Sequence, residues 1–228
     1  MMSTTMKKYT ILLLSFLLGT AAMAQTQTPA EQENYTKVIT DRSAKIVVGI
    51  GITDSTSKKF IKVRDILVDH YRVTGTLHDD RNAGVKEVKA SGMEKAAMNA
   101  KLASLDSAMN IKLDKHHAEF LAKLNKEITP EQVEGVKDAM TYKKVAVTYN
   151  GYIDELPQLT EAQKSQIKAW LVEAREKAVD AGSSDEKTAI FGKYKGRINN
   201  YLSKEGYDMK KAAEEWQKRL KERAAQKG

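Results

Sequence analysis

The segment Phe191-Gly192-Lys193-Tyr194-Lys195-Gly196-Arg197-Ile198-Asn199-Asn200-Tyr201 holds the residue types best suited to a polar ligand. At helical spacing Ile190, Tyr194, Arg197, Ile198 and Tyr201 project to one side. Gly192, Gly196, Asn199 and Asn200 project roughly to the other. Two glycines four apart weaken a helix by ~1 kcal/mol each relative to alanine. They also leave a strip of backbone bare, bordered by Lys193, Lys195 and two amides. Amides donate and accept, and lysine attracts carboxylate. A shallow polar groove fits this pattern, and so does a neighbouring helix packed tightly on the glycines. Arg197 falls on the apolar side, where a guanidinium needs a carboxylate from another helix or a bound anion.

Tyr142, Tyr149 and Tyr152 share a helical face with Val145 in the segment after Pro130. They are read either as core residues with their phenols at the rim or as a stacking platform for a sugar ring. Of the four histidines, His116 lies on an apolar stripe and is expected to be hydrogen-bonded at an interface. His117 points elsewhere, toward solvent. His70 and His78 are about 80° apart on a helix at ~100° per residue. None of them shows zinc-ligand spacing, so no metal site is expected. The chain has no cysteine, which excludes disulfides, thiolate metal sites and cysteine catalysis. A G-x-S-x-G elbow and a P-loop are missing, and Gly49-Ile50-Gly51 lacks the third glycine of a dinucleotide fingerprint. No catalytic residue and no cofactor are assigned, and the balance is against an enzyme. Two carboxylates brought together by the fold would still make a glycosidase site.

The elements that must position these residues are helical. The 228 residues include three prolines, and apolar residues recur at spacings of three and four. Helices are expected over about 30–48, 55–78, 94–126, 130–156, 161–180, 185–203 and from 208 onward. The stretch around Gly84 and Gly92 is left unassigned, and Ile46–Ile52 is the single strand candidate. Thr129-Pro130-Glu131-Gln132 and Thr160-Glu161-Ala162-Gln163 are capping boxes, in which hydroxyl and amide satisfy orphan backbone donors. The expectation is an all-α antiparallel bundle of six or seven helices. It forms one domain over 25–228, with a possible soft boundary near 128.

Before it stands a leader. Lys7 and Lys8, the apolar run Ile11–Leu18 and the small residues ending at Ala24 have the order of a signal peptide cleaved after Ala24. A periplasmic or secreted protein is expected. The full chain carries a formal net charge of +8. Loss of Lys7 and Lys8 with the leader leaves the mature chain at +6, a mild bias toward anionic partners. No later run is apolar enough to span a membrane, and no motif suggests nucleic acid.

The blocks VKDAMTYKKVAVTYNGY (136–152), LTEAQKSQIKAWLVEAREKAVDAGSSDEK (159–187) and FGKYKGRINNYLSKEGYD (191–208) resemble domain-of-unknown-function family 3826, a family of exported bacterial proteins. ITDSTSKKFIKVRDILVDHYRVTGTLHDDR (52–81) resembles its N-terminal half less closely. The resemblance implies a sugar-binding protein found among polysaccharide-utilisation proteins, notably those for pectic glycans. It brings no catalytic residue with it. The expected partner is an anionic oligosaccharide, whose uronate carboxylates would meet Lys193, Lys195 and Arg197. Asn199 and Asn200 would bond its hydroxyls, and one of Tyr142, Tyr149 or Tyr152 would stack on a ring. Two other readings stay open. The Thr-x-x-Gln pair also resembles the short signature of small periplasmic helical chaperones, which points to a chaperone-like interaction protein. The third reading is a glycan-active lyase or hydrolase. Oligomeric state is left open.

Overall fold

The computed structural model describes residues 28–226. The leader expected over 1–24 lies outside them. Eight helices are found among the described residues: α1 Pro29–Gly49, α2 Lys58–Ala90, α3 Lys95–Asn125, α4 Pro130–Met140, α5 Lys144–Glu155, α6 Glu161–Val179, α7 Ser184–Lys204 and α8 Met209–Ala225. No strand is found among these residues; the Ile46–Ile52 run ends α1 and enters a turn. None of the helices is long and apolar enough to cross a membrane.

Thr129 and Thr160 cap α4 and α6 through reciprocal Thr–Gln bonds, as their spacing demands. Helices α2 and α3 run antiparallel, and so do α6 and α7. The Gly84–Leu105, Arg81–Asp106 and Asp69–Lys123 contacts set this for α2 and α3. The Tyr194–Glu173 and Arg197–Trp170 contacts set it for α6 and α7.

Two regions depart from the periodicity. Helix α2 continues through the unassigned stretch to Ala90. A Cβ on Gly84 would come within 3.2 Å of both Leu105 methyls, so the glycine lets α2 and α3 close on each other. The segment after Pro130 is not one helix but two, which raises the number from six or seven to eight. The chain breaks at Tyr142 and Lys143, with φ of 57° and 53°. Left-handed backbone at a non-glycine residue costs ~1–3 kcal/mol.

The break divides the interior. One core gathers Ile39, Val47, Val63, Leu67, Phe120, Leu124 and Val136 from α1–α4. The other gathers Tyr152, Leu156, Ile167, Leu171, Ala174, Ile198, Leu202 and Ala212 from α5–α8 and the turn before α6. Val133, Val136 and Met140 serve the first core, while Val145 and Tyr152 serve the second. A straight helix over 130–155 would not reach both. Helix α6 bridges them: Ile167 and Leu171 lie in the second core, and its last residue, Val179, enters the first.

Candidate functional site

The sequence-selected residues divide into an outer face on α7 and inner positions. Gly192, Lys193, Lys195, Gly196, Arg197, Asn199 and Asn200 are all exposed, while Phe191, Tyr194, Ile198 and Leu202 turn inward. Nothing lies within 4 Å of where a Cβ would stand on Gly192 or Gly196. Among the described residues no neighbouring helix covers the glycines, and their backbone faces open space. The surface is the convex side of a helix rather than a cleft.

Tyr152 lies beneath this face and is buried at 4% exposure. Its hydroxyl donates to Asn199 Oδ1 at 2.6 Å. That bond fixes the amide and leaves the Asn199 Nδ2 group to donate outward. Burial raises the Tyr152 pKa, which keeps the phenol a donor. Arg197 is carried on the Trp170 ring, 4.5 Å from its centroid, and reaches Glu173 at 3.5 Å. Glu173 also accepts from the Tyr194 hydroxyl at 2.7 Å. Lys193 and Lys195 have no ion-pair partner among the described residues; Lys193 borders a cleft of about 550 Å³ shared with His78 and Asp114.

The three tyrosines do not form one platform. Tyr149 is half-buried and packs against the second core, and Tyr152 is inside it. Tyr142 sits on the left-handed turn and is 51% exposed. It lines a separate cleft of about 720 Å³ with Arg42, Lys45, Tyr71 and Lys143. The expectation of a shared Tyr142–Tyr149–Tyr152 face assumed a continuous helix and is corrected by the break.

The histidine readings also change. His117 is only partly exposed: its Nδ1 lies 2.8 Å from Asp180 Oδ2, and its interaction with Asp180 leads the causes that raise its pKa. His116 is buried and stacked on His70, with ring centroids 5.1 Å apart, and its Nε2 has no hydrogen-bond partner. His70 is fully buried, with Nε2 3.3 Å from the Val179 carbonyl. His78 Nε2 is 3.0 Å from the Asp180 carbonyl. Lys187, also buried, donates toward the Val179 carbonyl at 3.5 Å. Burial lowers its pKa to about 8. The end of α6 is thus ringed by groups able to donate to its last carbonyls, at the negative end of the helix dipole. No set of three side chains among the described residues is placed to hold a metal ion.

His78 is held by contact as well as by hydrogen bonding. A Cβ on Gly182 would stand 2.6 Å from His78 Cγ, close to that residue's own backbone. Gly182→Ala is expected to destabilise the protein by ~1–3 kcal/mol, the usual cost of overpacking. Urea titration of the purified variant measures this, and an unchanged midpoint would show that the α6–α7 turn can yield.

Sequence reasoning missed Arg42, Lys45 and Lys143. One signal was present: Arg42 lies on the same stripe of α1 as Tyr35, Ile39 and Ile46, an unusual place for an unpaired guanidinium. The contribution of Lys143 needs the chain break, which no glycine or proline announces. None of the curated proteins compared matches the sequence. Residues 36–222 match the family model described as Protein of unknown function (DUF3826), and the chain belongs to that family.

Proposed function

We propose that the protein is an exported, non-catalytic binding protein for acidic oligosaccharides of the pectic type, and that the outer face of α7 is its contact surface. The open space above Gly192 and Gly196 carries this reading. Mid-helix glycines that receive no neighbour give up stability without a packing return inside the chain. A ligand lying against the backbone supplies that return. The two glycines are about 6 Å apart along the helix axis, comparable with one sugar unit. Lys193 and Lys195 flank the strip on opposite sides and would meet uronate carboxylates. The tethered Asn199 and the free Asn200 would bond ring hydroxyls. The leader pattern supports export, and the resemblance described above supports a glycan neighbourhood.

Gly192→Ala with Gly196→Ala provides the test. The double variant is expected to be more stable by ~1–2 kcal/mol, since both Cβ atoms have room. It is also expected to lose binding of oligogalacturonate in calorimetry. Neutral oligosaccharides of the same length should bind more weakly to the unaltered protein. Absence of heat with every uronate and neutral oligosaccharide at millimolar concentration would reject the reading, and so would undiminished binding by the double variant.

A further inference from the structure

The cleft of about 720 Å³ beside Tyr142 shares no residue with the α7 face. Its walls come from α1, from Tyr71 on α2 and from the α4–α5 turn. Three cations, Arg42, Lys45 and Lys143, border it, against one acid, Asp41. Asp41 and Arg42 are adjacent in a helix and do not face each other, while Asp41 and Lys45, four apart, share a face without forming an ion pair, so the cleft keeps an excess of two positive charges. Elsewhere Arg64, Arg81, Arg175, Arg197 and Arg223 pair with carboxylates, while Arg72 bonds the Thr36 hydroxyl and Arg219 the Asp154 and Glu155 carbonyls. Neither Arg42, Lys45 nor Lys143 has an ion-pair partner among the described residues. The Arg42 guanidinium instead lies 5.5 Å from the centre of the Tyr71 ring.

The turn that supplies Tyr142 and Lys143 is strained and firmly clamped. Thr141 is fully buried, and its hydroxyl donates to the Lys137 carbonyl at 2.8 Å. The Lys143 amide donates to the Asp138 carbonyl at 2.7 Å. Two successive left-handed residues set Tyr142 outward at the mouth of the cleft and Lys143 beside it. Strain held in place by its surroundings is concentrated at ligand sites. Helix α5 starts at this turn and has no side-chain cap, whereas each of the other seven helices has one. Its positive end adds to the potential of the three cations. Burial pushes the Tyr71 phenol up to about 12, so that it stays protonated and able to donate.

We infer that this cleft binds a small organic oxyanion, a carboxylate or phosphate on a flat ring. Arg42, Lys45 and Lys143 hold the charge, and Tyr142 lies against the ring. The guanidinium offers a bidentate fork to either group. Aromatic faces stack on flat rings with offset geometry. This site does not depend on the oligosaccharide reading, because its residues lie off the α7 face.

Benzoate and phenyl phosphate serve as probes, with benzamide as the neutral control, each titrated into the purified protein by calorimetry. Both anions are expected to bind saturably and benzamide not to bind. The stronger of the two identifies the oxyanion as carboxylate or phosphate. Arg42→Gln with Lys45→Gln, both at exposed positions, should weaken anion binding by at least about tenfold, a factor worth 1.4 kcal/mol. Lys143→Gly should weaken it similarly while raising the melting temperature, because glycine accepts a φ of 53° without strain. The α7 double glycine variant should bind both probes unchanged, which separates failure here from failure of the oligosaccharide reading. Binding of benzamide equal to that of the anions would overturn the inference. So would anion binding unaffected by the Arg42–Lys45 change, or no anion binding at millimolar probe.

Discussion

Stability is expected to fall steeply as the pH drops below about 6.5, with His70 the largest single contributor. Its imidazole has no exposed surface and stacks between His116 and Phe120, at 5.1 and 4.1 Å between centroids. Burial lowers its pKa from 6.5 to about 3. His116 and His117 from α3 and Lys187 from α7 oppose its protonation; the Val179 carbonyl, 3.3 Å away, favours it. The Asp180 carboxylate, 3.7 Å away, is turned mainly to His117. Between pH 3 and 6.5 the unfolded chain therefore binds the proton that the folded chain refuses. The stability contribution is complete above the unfolded pKa and is lost progressively down to the folded one. The full shift corresponds to a ceiling of ~5 kcal/mol. His117 acts in the opposite direction. Its raised pKa adds stability below 6.5 that disappears as the pH rises through its folded value. His70 has the larger shift and sets the net slope. His70→Leu should cost stability near neutral pH, where packing and the Val179 contact are lost, and should flatten the acid limb. Urea titrations from about pH 7 to pH 4 measure both slopes; parallel slopes for the two proteins would refute the assignment.

Much of the fold was legible because local chemistry wrote it. Thr129, Pro130 and Gln132 announce a helix start whatever lies around them, and so do Thr160 and Gln163. Gly51, Gly92 and Gly206 adopt positive φ in turns, where the periodicity also stops. The break at Tyr142–Lys143 was not legible, since neither residue disfavours helix strongly. It is imposed by two cores that need Val136 and Val145 in different places. The same limit governed the candidate sites. The exposed side of α7 follows from its own sequence, because opposite faces of one helix are fixed by 3.6-residue periodicity. The cleft of Arg42, Lys45, Tyr142 and Lys143 joins residues about a hundred positions apart, and no periodicity reports such a pairing. The histidine junction failed for a related reason. The partners of all four rings include backbone or side-chain atoms at the end of α6 or rings that gather there, and carbonyls leave no mark in a sequence.

Arg175→Ala is expected to cost ~2–4 kcal/mol, roughly 10 °C in melting temperature. Arg175 projects from α6 and is 4% exposed. Its NH1 donates to Asp138 Oδ1 at 2.6 Å, and its NH2 bonds Glu134 and, at 3.2 Å, Glu176. Lys137, also buried, shares the acids by pairing with Glu134 and, at 2.9 Å, with Glu176. The two cations hold α4 to α6, which is where the α1–α4 core meets the α5–α8 core. Removing one cation leaves three carboxylates facing a single lysine. Glu134 and Asp138 remain partly exposed, so water offsets part of the loss and the cost stays below that of a sealed ion pair. Arg175→Met separates the two components. Methionine restores the aliphatic stem but not the charge, so recovery of about half the loss would assign the rest to the ion network. A variant Arg175→Ala with unchanged melting temperature would mean that the cores are joined chiefly by Val179 and the histidine junction. Loss of cooperativity in the same melt would show the two cores separating before either unfolds, an outcome that only a seam through α6 predicts.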